Sequence, residues 1–151
     1  MSEIKIAGVT RAGAYSPNHI GNDAAIFNAT AENLRRRGFE VITYSEEQFQ
    51  KEDIKEPVII NMCRELASIE KLKTLEQQGR IVVNSGFGIE NCTRERMTRI
   101  LQGMNIPYPD SLIVNTNENV LRELKKKGFE DCWIKRGDFH AMHKEDVSYC
   151  R

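Results

Sequence analysis

Short apolar runs alternate with longer amphipathic segments through the first half of the chain. The apolar runs predict four strands, at residues 4–9, 39–44, 57–62 and 80–84. Helical periodicity predicts a helix over 22–37, because Phe27, Ala31 and Leu34 recur on one face at the spacing of an α-helix. Gly38 follows three arginines and is expected to end this helix.

A second helix is predicted between the third and fourth strands. We expect Ser68 to cap its start and Gly79 to end it. Its apolar face is formed by Ile69, Leu72 and Leu75. Strands separated by helices of about 10–15 residues are typical of a parallel sheet with right-handed crossovers. Residues 1–84 are therefore predicted to form a small open α/β domain whose ligand crevice lies at the carboxyl ends of its strands.

The pattern after residue 84 predicts a second, mixed segment. After a loop at 85–88, the predicted elements are a helix over 93–102, an extended stretch over 105–109, a strand over 111–115, a helix over 117–127 and strands over 131–135 and 147–150. The side chains expected to face inward are Met97, Ile100, Leu101, Val120, Leu121 and Leu124, and the run 132–134 is expected to be buried. A piece of about 40 residues of this kind cannot cover both faces of its own sheet. We therefore expect the chain to be a fragment, and a natural product of 17.3 kDa would contradict this.

Composition restricts the classes of function. Basic and acidic residues both number 22, so the whole-chain positive field of a nucleic-acid-binding protein is absent. No apolar run approaches the roughly 20 residues of a membrane helix, and the start of the chain does not resemble a signal peptide. The four cysteines form no Cys-x-x-Cys pair and are expected to be reduced thiols, which favours a cytoplasmic protein with no metal site.

Three other features of the sequence could indicate a dinucleotide site, a nucleophile or a basic patch, but each is better explained in another way. The loop at 10–21 lies where a dinucleotide fingerprint would be, but it lacks the Gly-x-Gly-x-x-Gly spacing, which argues against a nicotinamide-dependent oxidoreductase. Cys63 follows the third strand with no histidine nearby, so a buried thiol is favoured over a nucleophile. The lysines at 125–127 are typical of a solvated helix end.

A series of features between residues 84 and 135 resembles a known family. A strand ends in Asn84, a small loop follows, and a helix opens with the basic residue Arg94. The chain then reads Ile106-Pro107-Tyr108-Pro109, and a strand ending in Lys135 comes about 25 residues later. In order and spacing, this resembles the passage that joins the N-terminal domain of ATP-grasp carboxylate ligases to their ATP-binding domain.

The resemblance implies roles for several side chains. Arg94 and Lys135 are similar to the pair of cations that hold the α- and β-phosphates of ATP in the family. Arg136 is also expected to bind the phosphates of ATP, and His140 to lie in a loop over them, although the family usually has a proline and a glycine-rich segment here. The resemblance also implies that Arg11, Asn18 and His19 lie on the side of the acceptor or carboxylate substrate, where they could bind an anionic group.

The same resemblance implies a division and an activity. Residues 1–84 would be the pre-ATP-grasp domain, which is Rossmann-like, and residues 85–151 the linker helix and first part of an incomplete α+β ATP-grasp subdomain. The intact protein would use ATP and Mg²⁺ to phosphorylate a small-molecule carboxylate, which an amine or similar nucleophile then attacks. The family's adenine pocket, Mg²⁺ ligands and catalytic arginine lie further along, so this chain alone is expected to be inactive and to offer neither a catalytic residue nor a metal ligand. A non-catalytic α/β module that binds a small molecule or regulates another protein stays open as an alternative, and a homodimer fits either view.

Overall fold

A computed structural model describes residues 4–15, 20–138 and 146–151 of the chain. The chain divides into two compact units, Met1–Glu90 and Asn91–Arg151. The division predicted from the sequence lies between residues 84 and 85, and its assignment to a substrate-side and an ATP-grasp domain stays a prediction.

The first unit is a four-stranded parallel sheet with the strand order β2-β1-β3-β4. The strands are β1 (Lys5–Val9), β2 (Glu40–Tyr44), β3 (Val58–Asn61) and β4 (Ile81–Val83). The helices among the described residues are α1 (Ile20–Arg36), α2 (Glu46–Lys51), α3 (Leu66–Gln77) and α4 (Gly86–Asn91), and a 3-10 turn is formed by Gly13–Tyr15. The predicted α/β class and parallel sheet are confirmed, with the ends of the predicted strands and helices displaced by one or two residues, whereas helix α2 was not predicted.

Successive residues of a strand point to opposite faces of the sheet, so a single strand contributes side chains to a buried cluster on each face. On one side, Ile6 of β1 belongs to a buried cluster with Phe27, Ala31 and Val41. On the other side, its neighbour Ala7 belongs to a second cluster, which includes Val9, Phe49, Ile54, Ile59, Cys63, Leu72 and Leu75. The apolar helix faces predicted from the sequence supply much of both clusters.

The helix ends confirm the predictions made from the glycines, whereas the predicted N-terminal cap of α3 is wrong. Gly38 and Gly79 have φ values of +87° and +86°, in the left-handed region that a glycine adopts without a Cβ clash. The predicted cap at Ser68 is wrong, because α3 begins at Leu66 and Ser68 is buried inside it. The Ser68 hydroxyl instead accepts a hydrogen bond of 2.9 Å from Gln50 Nε2. The side chain of Gln50, and not a helix start, therefore determines the role of Ser68.

The predicted loop at 85–88 is the start of helix α4. Two glycines in four residues normally indicate a loop. Gly86, however, is buried where a Cβ would lie 2.9 Å from Leu72 Cβ and 2.9 Å from the backbone nitrogen of Lys73. The glycine at this position permits close packing of two helices, which cannot be recognised from the local sequence.

The described residues of the second unit form two helices and an antiparallel pair of strands. These are α5 (Arg94–Gly103), α6 (Val120–Lys127), β5 (Cys132–Lys135) and β6 (Val147–Cys150). Asn119 Oδ1 caps α6 by accepting from the Arg122 N–H at 3.2 Å, and Gly128 ends it with a φ of +74°. The predicted strand at 111–115 is wrong, since these residues pair with no strand in the described part of the chain.

Burial in the second unit differs from the prediction. Leu121 is 71% exposed, and Trp133 and Ile134 of the strand that was expected to be buried are 62% and 47% exposed. Among the described residues of this unit, Thr98 alone is fully buried. Two short helices and two strands supply too little surface to cover these side chains. In the described part of the chain, no helix has both the length and the apolar character needed to cross a membrane.

Candidate functional site

A buried carboxylate joins the loops at the carboxyl edge of the parallel sheet. Glu46, the first residue of α2, is 1% exposed. Its Oε2 accepts a hydrogen bond of 2.8 Å from the Ala12 N–H, just after β1. Its Oε1 accepts bonds of 2.8 Å from the N–H groups of Arg64 and Glu65, after β3. One side chain from the end of β2 therefore fixes the backbone beyond two neighbouring strands.

Arg11 lies at the same edge, and the substrate-side role that the resemblance implies for it stays a prediction. Its Nε donates to the Met62 carbonyl at 3.2 Å, and its Nη1 pairs with Asp23 Oδ2 at 2.7 Å. Both charged side chains are mostly buried, at 19% and 16% exposure. The position suits an anion-binding residue, but Asp23 already compensates part of its charge. Asn18 and His19, the other two residues predicted here, lie outside the described residues.

A pair of asparagines holds the ends of β3 and β4 together. Asn61 Nδ2 donates to the carbonyls of Val83 and Asn84 at 2.9 and 2.8 Å, and Asn84 Nδ2 donates back to the Asn61 carbonyl at 2.7 Å. Asn61 Oδ1 also accepts from the Cys63 N–H at 3.1 Å. Asn84 has a φ of +46°, a conformation that asparagine tolerates better than most residues.

Sequence reasoning missed the structural roles of Glu46 and of the asparagine pair. For Glu46 the available signal was the capping box formed by Ser45 and Gln48, which marks the start of a helix directly after a strand. For the asparagines the signal was that one strand ends in Asn61 and the next is directly followed by Asn84. Neither signal identifies the distant backbone groups that these side chains contact.

Cys63 is a structural thiol. It is 1% exposed, and burial, followed by the negative charge of Glu46, raises the pKa of the thiol. A thiol in this environment stays protonated at neutral pH and is a poor nucleophile. This agrees with the preference for a buried thiol at the end of the third strand.

In the second unit, the start of α5 contacts the end of β5. Arg94, the first residue of α5, donates from Nη1 to the carbonyl of Arg136 at 3.3 Å. The next residue, Glu95, donates its backbone N–H to the Gly137 carbonyl at 3.0 Å. The two segments that carry the predicted phosphate cations therefore meet, although they are about forty positions apart in the sequence.

The cations in these segments differ in their surroundings. Lys135 is exposed at the end of β5, and no carboxylate among the described residues pairs with it. Arg136 is held by Asp138 in two bonds, Nε to Oδ1 at 2.6 Å and Nη2 to Oδ2 at 2.8 Å, with Asp146 further away at 3.9 Å. The bond to Asp138 raises the pKa of Arg136. His140 lies outside the described residues.

The donor groups fit a polyphosphate better than a metal ion. Arg94 and Lys135 provide positive charge at one end of the unit, which suits phosphate oxygens. Within residues 4–15, 20–138 and 146–151, no group of three or more His, Cys, Asp or Glu side chains is arranged to hold a metal ion. That Arg94 and Lys135 bind phosphate stays a prediction.

Comparisons with known proteins show a structural relationship only. No protein-family model matches the sequence, and no curated protein matches it. The crystal structure of a D-alanine–D-alanine ligase from Bacillus anthracis matches with a TM-score of 0.68 and 15% sequence identity. The match covers 97% of this chain and 49% of that chain, so the present chain spans about half the length of the ligase. The chain therefore has the α/β fold of the N-terminal part of a ligase.

Proposed function

We propose that this chain is the N-terminal part of an ATP-grasp carboxylate ligase that works through an acyl phosphate, and that Arg94 and Lys135 bind the phosphates of ATP. The fold likeness to a ligase supports the first part of the proposal. The hydrogen bond from Arg94 Nη1 to the Arg136 carbonyl carries the second part, because it places Arg94 beside the residue that follows Lys135.

The two cations have complementary properties for this task. The Arg94 guanidinium has five N–H donors in a planar fork, of which Nη1 contacts the Arg136 carbonyl. Lys135 offers a compact point charge on a flexible stem. Arg94 also occupies the first turn of α5, where the helix dipole disfavours a cation unless an anion lies nearby. A phosphate group bound here would relieve that repulsion.

Arg136 is proposed to contribute less. Its guanidinium already makes two bonds to Asp138, and a phosphate would have to compete with that carboxylate. We therefore expect replacement of Lys135 or Arg94 by alanine to reduce the affinity for ATP more than replacement of Arg136 does. His140 is proposed to lie over the phosphates, and ATP would be bound together with Mg²⁺ in the intact protein.

The carboxylate substrate is proposed to bind at the carboxyl edge of the four-stranded sheet. Arg11 lies there, and Asn18 and His19 are proposed to complete the anionic subsite. In this view residues 1–84 form the substrate side and residues 85–151 begin the ATP-grasp domain. Positioning the carboxylate against the γ-phosphate would supply most of the rate in such chemistry.

Nucleotide binding to the full 151-residue chain tests the proposal. Titration with ATP–Mg²⁺ and with adenosine, followed by the fluorescence of Trp133, should give a measurable though weak affinity for ATP. R94A and K135A should each weaken ATP binding about tenfold or more, since each removes a charge-assisted contact. Adenosine, which has no phosphates, should show no measurable binding to the unchanged chain or to either variant, because the resemblance places the adenine pocket outside this chain.

K126A is the matched control. Lys126 is an exposed lysine of the same unit, on α6, whose ammonium group pairs with Glu123 at 2.8 Å. Its loss should leave ATP affinity unchanged. Equal effects of K126A and K135A, or no effect of R94A, would contradict the phosphate site and favour a non-catalytic α/β module.

A further inference from the structure

We propose that Cys132 and Cys150 form a cross-strand dithiol that a low-molecular-weight disulfide oxidises to an intrachain disulfide. This inference is independent of the proposed function. The two cysteines are direct partners in the β5–β6 ladder, Cys132 opposite Cys150. Both are free thiols in the structure.

The hydrogen-bond pattern of the ladder sets their separation. The Arg136 N–H donates to the Asp146 carbonyl at 3.1 Å, which makes residues 136 and 146 a hydrogen-bonded pair. Hydrogen-bonded and non-hydrogen-bonded pairs alternate along antiparallel strands. Every second pair along the ladder is therefore also hydrogen-bonded, which includes Ile134 with Ser148 and then Cys132 with Cys150. Their Cα atoms are then about 5.5 Å apart, inside the range of about 4.4–6.8 Å that a disulfide spans.

The neighbouring residues hold this register. The rings of Trp133 and Tyr149, which face each other in the next pair, have centroids 5.1 Å apart. The Tyr149 hydroxyl donates to Asp131 Oδ2 at 2.8 Å, which joins the two strands beside the cysteine pair. A slip by one residue would break both contacts. The thiols of Cys132 and Cys150 consequently stay on the same face of the hairpin.

Accessibility favours this pair over the other cysteines. Cys150 is exposed and Cys132 half-buried, whereas Cys63 is buried with a raised pKa. Cys92 is exposed but lies outside the strands. The Cys150 thiolate can therefore attack a small disulfide, forming a mixed disulfide and releasing one thiolate. The Cys132 thiolate then attacks the Cys150 sulfur and releases the second. Two protein thiols are oxidised to one disulfide, and the small disulfide is reduced to two thiols.

The bond would close a ring from residue 132 to residue 150, which includes the end of β5 and the segment that follows it. It would prevent the two strands from separating at their outer end. Because the hydrogen-bonded position is wider than the Cβ separation that a disulfide prefers, the bond should be readily reduced by a thiol. Such a reversible bond suits a modification that responds to the thiol–disulfide balance around the protein.

Oxidised glutathione tests this inference on the full chain. After incubation, the protein is quenched with acid, alkylated in denaturant with N-ethylmaleimide and digested with trypsin. The expected product is peptide 128–135 joined to peptide 145–151, lighter by two hydrogens than the two free thiol peptides together. Ring closure in the folded chain should be about tenfold or more faster than in concentrated urea, because the sheet holds the thiols together.

Three variants complete the test. C132S should accumulate a stable glutathione adduct on Cys150, while C92S should behave like the unchanged chain. C150S should prevent the linked peptide, and circular dichroism checks that each variant is folded. Glutathione remaining on Cys150 in the unchanged chain, a bond to Cys92 or Cys63, or equal closure rates with and without urea would overturn the inference.

Discussion

Glu46 illustrates how single residues organise the edge of the parallel sheet. Its carboxylate is buried, and three backbone N–H groups approach its two oxygens at 2.8 Å. Buried charges are costly unless they are paired or well hydrogen-bonded. Backbone dipoles from the loops after β1 and β3 meet that requirement here. The same bonds fix the loops that border the proposed substrate site.

E46Q tests this arrangement at the residue scale. The amide keeps one oxygen but turns an NH₂ group toward a backbone N–H, and it loses the charge that strengthens the remaining bonds. We expect a loss of about 2–4 kcal/mol in the free energy of unfolding of the first unit, measured by urea denaturation followed by circular dichroism.

The control for this variant is E47Q. Glu47 is the next residue of α2, is exposed, and pairs with Lys51 one turn later at 2.6 Å. Exposed pairs of this kind contribute little, so the urea midpoint should not change measurably. A similar midpoint for E46Q and E47Q would show that the three backbone bonds do not stabilise the fold.

At the scale of elements, the packing of α4 on α3 depends on a single missing side chain. A Cβ at position 86 would lie 2.9 Å from Leu72 Cβ, 2.9 Å from the Lys73 backbone nitrogen and 3.0 Å from the Ile69 carbonyl oxygen. Two of these three atoms belong to the helix backbone, which cannot move as a side-chain tip can. Helix α4 therefore approaches α3 more closely than any other residue at position 86 would allow.

G86A should consequently destabilise the first unit by about 1–3 kcal/mol, the usual cost of forcing an extra methyl group into a packed site. G88A is the matched control, because the nearest atom to its Cβ would be Ser85 Cβ at 3.6 Å, an ordinary contact. Alanine is the better helix former, so G88A should be neutral or slightly stabilising. Urea denaturation of both variants measures the difference, and equal midpoints would contradict the close packing.

At the scale of the whole molecule, burial is distributed unevenly between the two units. Every described apolar residue that is fully buried lies between Ile6 and Leu75. In the second unit, Trp133 and Leu121 are largely exposed. Since buried apolar surface is the main favourable term in folding, the second unit by itself should be the less stable one.

Two spectroscopic probes can test this difference. Trp133 is the only tryptophan and reports on the second unit, whereas far-UV circular dichroism is dominated by the longer helices of the first. In a urea titration the fluorescence midpoint should fall below the circular dichroism midpoint, a departure from two-state behaviour. L72A, in the core of the first unit, should lower the circular dichroism midpoint by removing buried surface. Coincident transitions in the unchanged chain would contradict the prediction.

The sequence by itself determined the features that depend on neighbouring residues. Apolar runs gave the four parallel strands and β5–β6, and the periodicity of Phe27 and Ala31 gave the buried face of α1, because side-chain direction follows from local backbone geometry. Gly38 and Gly79 ended their helices because the left-handed conformation is a property of one residue. The positions of Arg94 at the start of a helix and of Lys135 at the end of a strand followed from the same patterns, whereas the contact between the two segments did not.

Only the tertiary structure decided the features that depend on distant partners. The three N–H groups on Glu46, the use of Ser68 inside α3 and the helix at Gly86 all arise from residues that lie far apart in the sequence. The exposure of Trp133 has the same origin, since an apolar strand is buried only where other elements cover it. Local sterics and periodicity can be derived from adjacent residues, whereas burial and hydrogen-bond pairing depend on which surfaces the folded chain brings together.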